Sequence, residues 1–193
     1  MLEGLLDKPA GAPRALAAVC HPHPLQQGAM TNKVVYILSR AFNDLGALSL
    51  RFNFRGVGKS AGRYDNGVGE TNDALAALDW LSAQHRGLPL WLGGFSFGAY
   101  VALRAQSERP VRRLVTVAPA AERLTDTIAL PTMPWLLIQG DADNVVSPQA
   151  TFDWVAGLAV KPQLVVLEGA GHFFHGRLNE VRQAVVEAFS GGQ

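Results

Sequence analysis

Short apolar runs and helical periodicities take turns along almost the whole chain, and this alternation constrains the fold more than any other feature. Residues 15–20 (Ala-Leu-Ala-Ala-Val-Cys), 47–54, 88–93, 113–117, 135–139 and 163–167 each read as a strand. Between them, apolar positions 34, 37, 38, 41, 42 and 45 trace one face of a helix that Thr31-Asn32 can cap and Gly46 can stop. Residues 70–85 read as a helix with acidic residues in its first turn and Ala74, Leu78 and Leu81 on one face. Residues 97–107, 148–156 (capped by Ser147, with Pro148 first) and 178–189 complete the helices. The stretch 119–133 reads as irregular or as a short helix. Strand–helix alternation of this kind gives an α/β fold, a parallel sheet with helices on both faces. Such sheets gather their functional residues in the loops at the strands' carboxyl ends.

A chain of 193 residues is long enough to bury one sizeable core, so a single domain over 1–193 is expected. A net charge of +1 gives no pull toward nucleic acid or an anionic membrane surface. The lone cysteine, Cys20, excludes an internal disulfide framework and fits a reducing compartment. Residues 1–7 lack the basic and long apolar regions of a signal peptide, and no apolar run reaches bilayer-spanning length. The expectation is a cytoplasmic protein, monomer or homodimer, whose partner is a small molecule.

The chemistry starts at Leu90–Ala99, where an apolar run meets Gly94-Phe95-Ser96-Phe97-Gly98 and passes straight into helix formers. A Gly-x-Ser-x-Gly turn between strand and helix presents the serine hydroxyl above a helix N-terminus. A serine needs a base to take its proton, and the base needs a third group to orient it. His172 follows the last strand on the small-residue loop Glu168-Gly169-Ala170-Gly171 and is the expected base, with His175 in reserve. Asp141 and Asp143 both follow the preceding strand. Asp143, deeper in the loop, is the expected acid, and Asp141 the alternative. The order Ser96, Asp143, His172 is that of α/β-hydrolases. An oxyanion hole would take one N–H from Phe97 and one from the loop 21–28, where Pro22 and Pro24 have none; Leu25 is expected there, with other residues of 23–26 as alternatives.

Four segments carry a resemblance: His21-Pro22-His23-Pro24 with Asn32-Lys33-Val34-Val35, residues 51–62 around Arg55-Gly56-Val57-Gly58, the Gly94–Gly98 elbow, and Gly140-Asp141-Ala142-Asp143 with Gly171-His172. On them the chain resembles the α/β-hydrolase superfamily, in its small lidless group similar to dienelactone hydrolases and short-chain esterases. The resemblance implies a sheet of about seven mostly parallel strands, no cap domain, and ester hydrolysis through an acyl-enzyme without metal or organic cofactor. Dienelactone hydrolases use cysteine where this chain has Ser96. The N-terminal hairpin usual in the family is also shortened here, since residues 1–7 provide at most one of its strands and leave a possible exposed edge.

Other patterns carry less. Gly56-Val57-Gly58-Lys59-Ser60-Ala61 echoes dinucleotide and P-loop motifs, but loop and not helix follows it. A zinc site of His21, His23, His172 and His175 lacks a supporting carboxylate or cysteine at convincing spacing. His21 and His23 are expected to bond loop backbone, and Cys20 to be a buried small residue. Phe95, Phe173 and His23 are expected to contact substrate. Arg55 and Arg63 are expected to be solvated or structural. The length of 119–133 leaves no room for a helical cap, which favours small or flexible esters, thioesters or lactones. The rival readings are an acyltransferase and a non-catalytic binding protein of the same fold.

Overall fold

The computed structural model describes residues 1–124 and 128–191; residues 125–127 of the expected irregular stretch lie outside it. In chain order the elements are β1 (Gly4–Asp7), β2 (Ala15–Cys20), α1 (Lys33–Asp44), β3 (Ala47–Phe52), α2 (Val68–Gln84), β4 (Leu90–Phe95), α3 (Phe97–Ala105), β5 (Val111–Val117), β6 (Trp135–Gly140), α4 (Pro148–Gly157), β7 (Gln163–Leu167) and α5 (Leu178–Ser190). Two 3-10 turns, Pro24–Gln26 and Ala121–Arg123, sit in loops. The strands form one sheet in the order β1-β3-β2-β4-β5-β6-β7. Only β1 runs antiparallel, along β3 at the edge.

Alternation along the strands divides the core into two layers. Leu16, Ala18 and Cys20 face α2 and α3, whereas Ala15, Ala17 and Val19 face α1 and α5. β4 divides the same way, with Leu90 and Leu92 on the first face and Trp91 and Phe95 on the second. Both faces of β2, β4 and β6 are buried throughout, which is why these strands read as continuous apolar runs. α1 starts where the Asn32 side chain accepts the N–H groups of Val34 and Val35. Its end is set by Gly46, whose φ of 84° suits glycine.

The loop 53–62 does structural work that the dinucleotide and P-loop echoes do not suggest. Ser60 is buried, donates to the Asn53 carbonyl at 2.7 Å and accepts the Glu3 N–H at 2.9 Å. Glu3 Oε2 in turn accepts from Asn53 Nδ2 and the Lys59 N–H, each at 2.8 Å. These bonds latch the N-terminal segment to the sheet edge. Among the described residues no helix is long and apolar enough to cross a membrane.

Candidate active site

The sharpest turn in the chain lies between β4 and α3. Ser96 sits at φ 55°, ψ −119°, a conformation that costs a non-glycine residue of order 1–3 kcal/mol and persists only where packing enforces it. The neighbouring glycines supply the room. A Cβ on Gly94 would collide with the Gly98 carbonyl, and one on Gly98 with the carbonyls of Cys20 and His21. The Ser96 N–H is held by the Val117 carbonyl at 2.8 Å, and its side chain caps nothing in α3. The hydroxyl is therefore left for chemistry, above a helix N-terminus whose first N–H, that of Phe97, has no partner inside the helix.

His172 and Asp143 meet on the loops after β7 and β6. The His172 ring is buried, and its Nδ1 lies 2.7 Å from Asp143 Oδ2. In the neutral ring this bond places the proton on Nδ1 and leaves Nε2 as an acceptor. Phe95, the residue before Ser96, packs its ring 4.9 Å from the imidazole, and Phe173, 6.0 Å from Phe95, meets the imidazole edge-on at 5.1 Å. Nucleophile turn and imidazole are thus neighbours at one edge of the sheet.

Asp143 is wrapped by donors. Oδ1 accepts the N–H groups of Val145 and Val146 at 2.8 and 2.9 Å, and Oδ2 accepts from Gln139 Nε2 at 3.2 Å besides His172. Burial pushes the carboxyl's pKa up. The bonds from His172, Val146 and Val145 outweigh it and hold the group below the ordinary aspartate value. Gln139, a lone polar residue in an otherwise apolar strand, went unrecognised in the sequence; its polarity there is the signal. Its Oε1 is buried with no partner, which marks a side chain kept for its donor.

Asp141 does something else. It is exposed, and its Oδ1 accepts the Gly169 N–H at 2.6 Å. With Ala142 N–H to the Ala170 carbonyl at 3.1 Å, it laces the acid loop to the base loop. His175 is exposed and packs on Phe173, with no bond to Asp143.

The loop after β2 corrects one expectation. The Leu25 N–H donates to Nδ1 of His23 at 3.2 Å, and the Leu25 side chain is 71% exposed. Leu25 is therefore committed within its own turn and is no free oxyanion donor. The Gln26 and Gly28 N–H groups both go to the His23 carbonyl. Among the described residues nothing bonds the N–H of His23 itself, and its ring stands 5.0 Å from that of Phe97. His21 is fully buried, accepts the Phe54 N–H on Nε2 at 3.0 Å and bonds the Pro22 carbonyl through Nδ1 at 2.6 Å. Burial, partly opposed by the Pro22 bond and by Asp73, lowers its pKa to about 4.

The aromatic expectations divide. The Phe95 ring is fully buried and supports His172 from behind, so it cannot touch substrate. Phe173 is 43% exposed and remains available, as does the half-buried His23, whose Nε2 lies 3.2 Å from the Tyr64 hydroxyl. Arg55 pairs with Asp73 at 2.8 Å, and burial pushes the Cys20 thiol's pKa up. Among the described residues no group of three or more His, Cys, Asp or Glu is placed to hold a metal ion.

Comparison with known proteins agrees with this geometry. A family model described as serine aminopeptidase, S33, matches residues 27–130. An uncharacterized protein of Rickettsia prowazekii is 37% identical over 95% of this chain and 82% of its own length. An alpha-beta serine hydrolase homologue from Coxiella burnetii is 42% identical, with a TM-score of 0.92 over 97% of this chain and 91% of that one. An α/β serine hydrolase without lid from Xanthomonas campestris is likewise 42% identical, with a TM-score of 0.93 over 98% of this chain and 88% of that one. The fold, the elbow and these relatives agree, and the chain belongs to the α/β serine hydrolases of the S33-like family, in their lidless form.

Proposed function

We propose that the protein is a serine carboxylesterase acting on small or short-chain esters, thioesters or lactones through an acyl-enzyme. The 2.7 Å bond between His172 and Asp143 carries the reading, because it leaves Nε2 of a buried imidazole to serve the strained serine beside it. His172 Nε2 takes the Ser96 proton as Oγ attacks the ester carbonyl. The oxyanion forms against the N–H groups of Phe97 and His23, the latter in place of Leu25. Collapse expels the alcohol, which takes the proton from His172. Water then repeats the sequence and releases the acid.

The family match to serine aminopeptidases raises a peptidase reading, but the carboxylates described around the site favour esters. An aminopeptidase must hold its substrate's ammonium on a free carboxylate. Here Glu70 gives both oxygens to the Asp65 and Gly67 N–H groups, Asp73 is paired with Arg55, and Asp143 is fully bonded.

A fluorophosphonate probe is expected to label the protein and to leave Ser96→Ala unlabelled. On a p-nitrophenyl ester, Asp143→Asn should lower kcat by roughly 10⁴-fold. Asp141→Asn, whose amide oxygen can still accept the Gly169 N–H, should stay within about threefold of wild type. Equal losses in the two variants overturn the assignment of the acid, and labelling of Ser96→Ala overturns the function.

A further inference from the structure

We propose that Arg123 forms a subsite for a carboxylate on the substrate, so that the preferred ester carries one negative charge a few bonds from its carbonyl. The proposal rests on the esterase reading and narrows its substrate.

Arg123 ends the 3-10 turn that follows β5, at the same sheet edge as the elbow. Its guanidinium lies over the rings of Phe97, at 5.4 Å, and Tyr100, at 5.9 Å. Phe97 is the residue after Ser96, and its other ring neighbours are His23 at 5.0 Å and Tyr64 at 5.8 Å. Both residues whose N–H groups are assigned to the oxyanion therefore have side chains close to this cation. Its charge also reaches His23: burial lowers that histidine's pKa first and Arg123 lowers it further, against Glu70. Both effects favour the neutral form of His23.

Several other arginines have carboxylate partners. Arg51 pairs with Asp7 at 2.6 Å, Arg55 with Asp73 at 2.8 Å and Arg109 with Asp79 at 2.8 Å. Arg104, beside Arg123, donates to the Tyr100 hydroxyl at 3.0 Å. Among the described residues no carboxylate or carbonyl bonds the half-buried guanidinium of Arg123. The stacking on Phe97 and Tyr100 holds the planar group in place, and among the described residues no acceptor takes its N–H fork. A guanidinium fork in that state matches a carboxylate bidentately.

The test compares monomethyl glutarate with methyl pentanoate, followed by proton release at constant pH. Wild type is expected to turn over the anionic ester with a kcat/KM at least about tenfold above the neutral one. In Arg123→Met the ratio of the two should fall by about tenfold or more, chiefly through KM, and Arg123→Lys should restore part of it. Raising the ionic strength should lower the wild-type ratio. As a check that needs no variant, free glutarate should inhibit methyl pentanoate hydrolysis competitively where 1-pentanol at equal concentration does not. A wild-type ratio at or below one, a ratio moved less than about twofold by Arg123→Met, or equal inhibition by both compounds overturns the subsite. If Ser96→Ala hydrolyses both esters as fast as wild type, the esterase reading itself falls. Ser96-dependent turnover with an Arg123-independent ratio overturns the subsite alone.

Discussion

His21 joins two backbone groups, the Phe54 N–H and the Pro22 carbonyl, at the end of β2, and it can do so only as a neutral ring. Burial puts its folded pKa at about 4, against about 6.5 in the unfolded chain. Above pH 6.5 both states are neutral and its contribution is complete. Between 6.5 and about 4 the unfolded chain binds a proton that the folded ring refuses, so stability falls with pH across that window. At about 1.4 kcal/mol per pKa unit the loss amounts to about 3 kcal/mol. Urea unfolding at pH 7 and pH 4 should show that loss in wild type and a smaller acid loss in His21→Gln. The same scale shows what a sequence can and cannot display. The Gly-x-Ser-x-Gly spacing marked Ser96, and Asp143 followed from its depth in the loop. Leu25 did not follow, because which N–H stays free depends on where the His23 side chain turns, and no spacing records that.

At the scale of elements, the elbow is a contact between two pieces of backbone. α3 can start directly after Ser96 only because Gly98 lets it touch the carbonyls that end β2. Gly98→Ala must push α3 away from those carbonyls, moving the Phe97 and His23 N–H groups apart. The expected result is a fall in kcat of roughly 10²-fold or more, with a smaller change in KM. A wild-type kcat in a folded Gly98→Ala protein would contradict this role of the contact. The elements themselves were nearly all legible, since both-faces-buried strands and one-faced helices have distinct periods. Phe95 shows a signal that was present and unused. It shares the parity of Trp91 along β4 and so packs within the α1 and α5 layer, against the His172 ring. Gln139 was legible in the same way, as a polar side chain in a buried apolar strand.

For the whole molecule, the notable feature is how the short edge strand is held. β1 has four residues with mostly exposed side chains, too little apolar contact to hold it by burial alone. The bonds through Glu3, Ser60 and Asn53 add to its pairing with β3. Ser60→Ala should speed hydrogen exchange at residues 4–7 while esterase activity persists, since Glu3, Asn53 and Ser60 are not among the proposed catalytic groups. Unchanged exchange would mean that the pairing with β3 suffices. Its members could not be read from sequence, because Glu3 and Ser60 are 57 positions apart and meet only once the sheet is built.

The lacing of the β6 and β7 loops through Asp141 and Gly169 has a consequence for laboratory evolution. Residues 139–143 and 167–174 form one clamp around the acid and base. The groups proposed to border the substrate, Tyr64 and Arg123, come from separate stretches of chain. Libraries confined to those stretches, with His23 and its N–H left intact, are expected to change what the protein accepts without disturbing how it reacts. Libraries that cut the lacing will mostly return inert proteins.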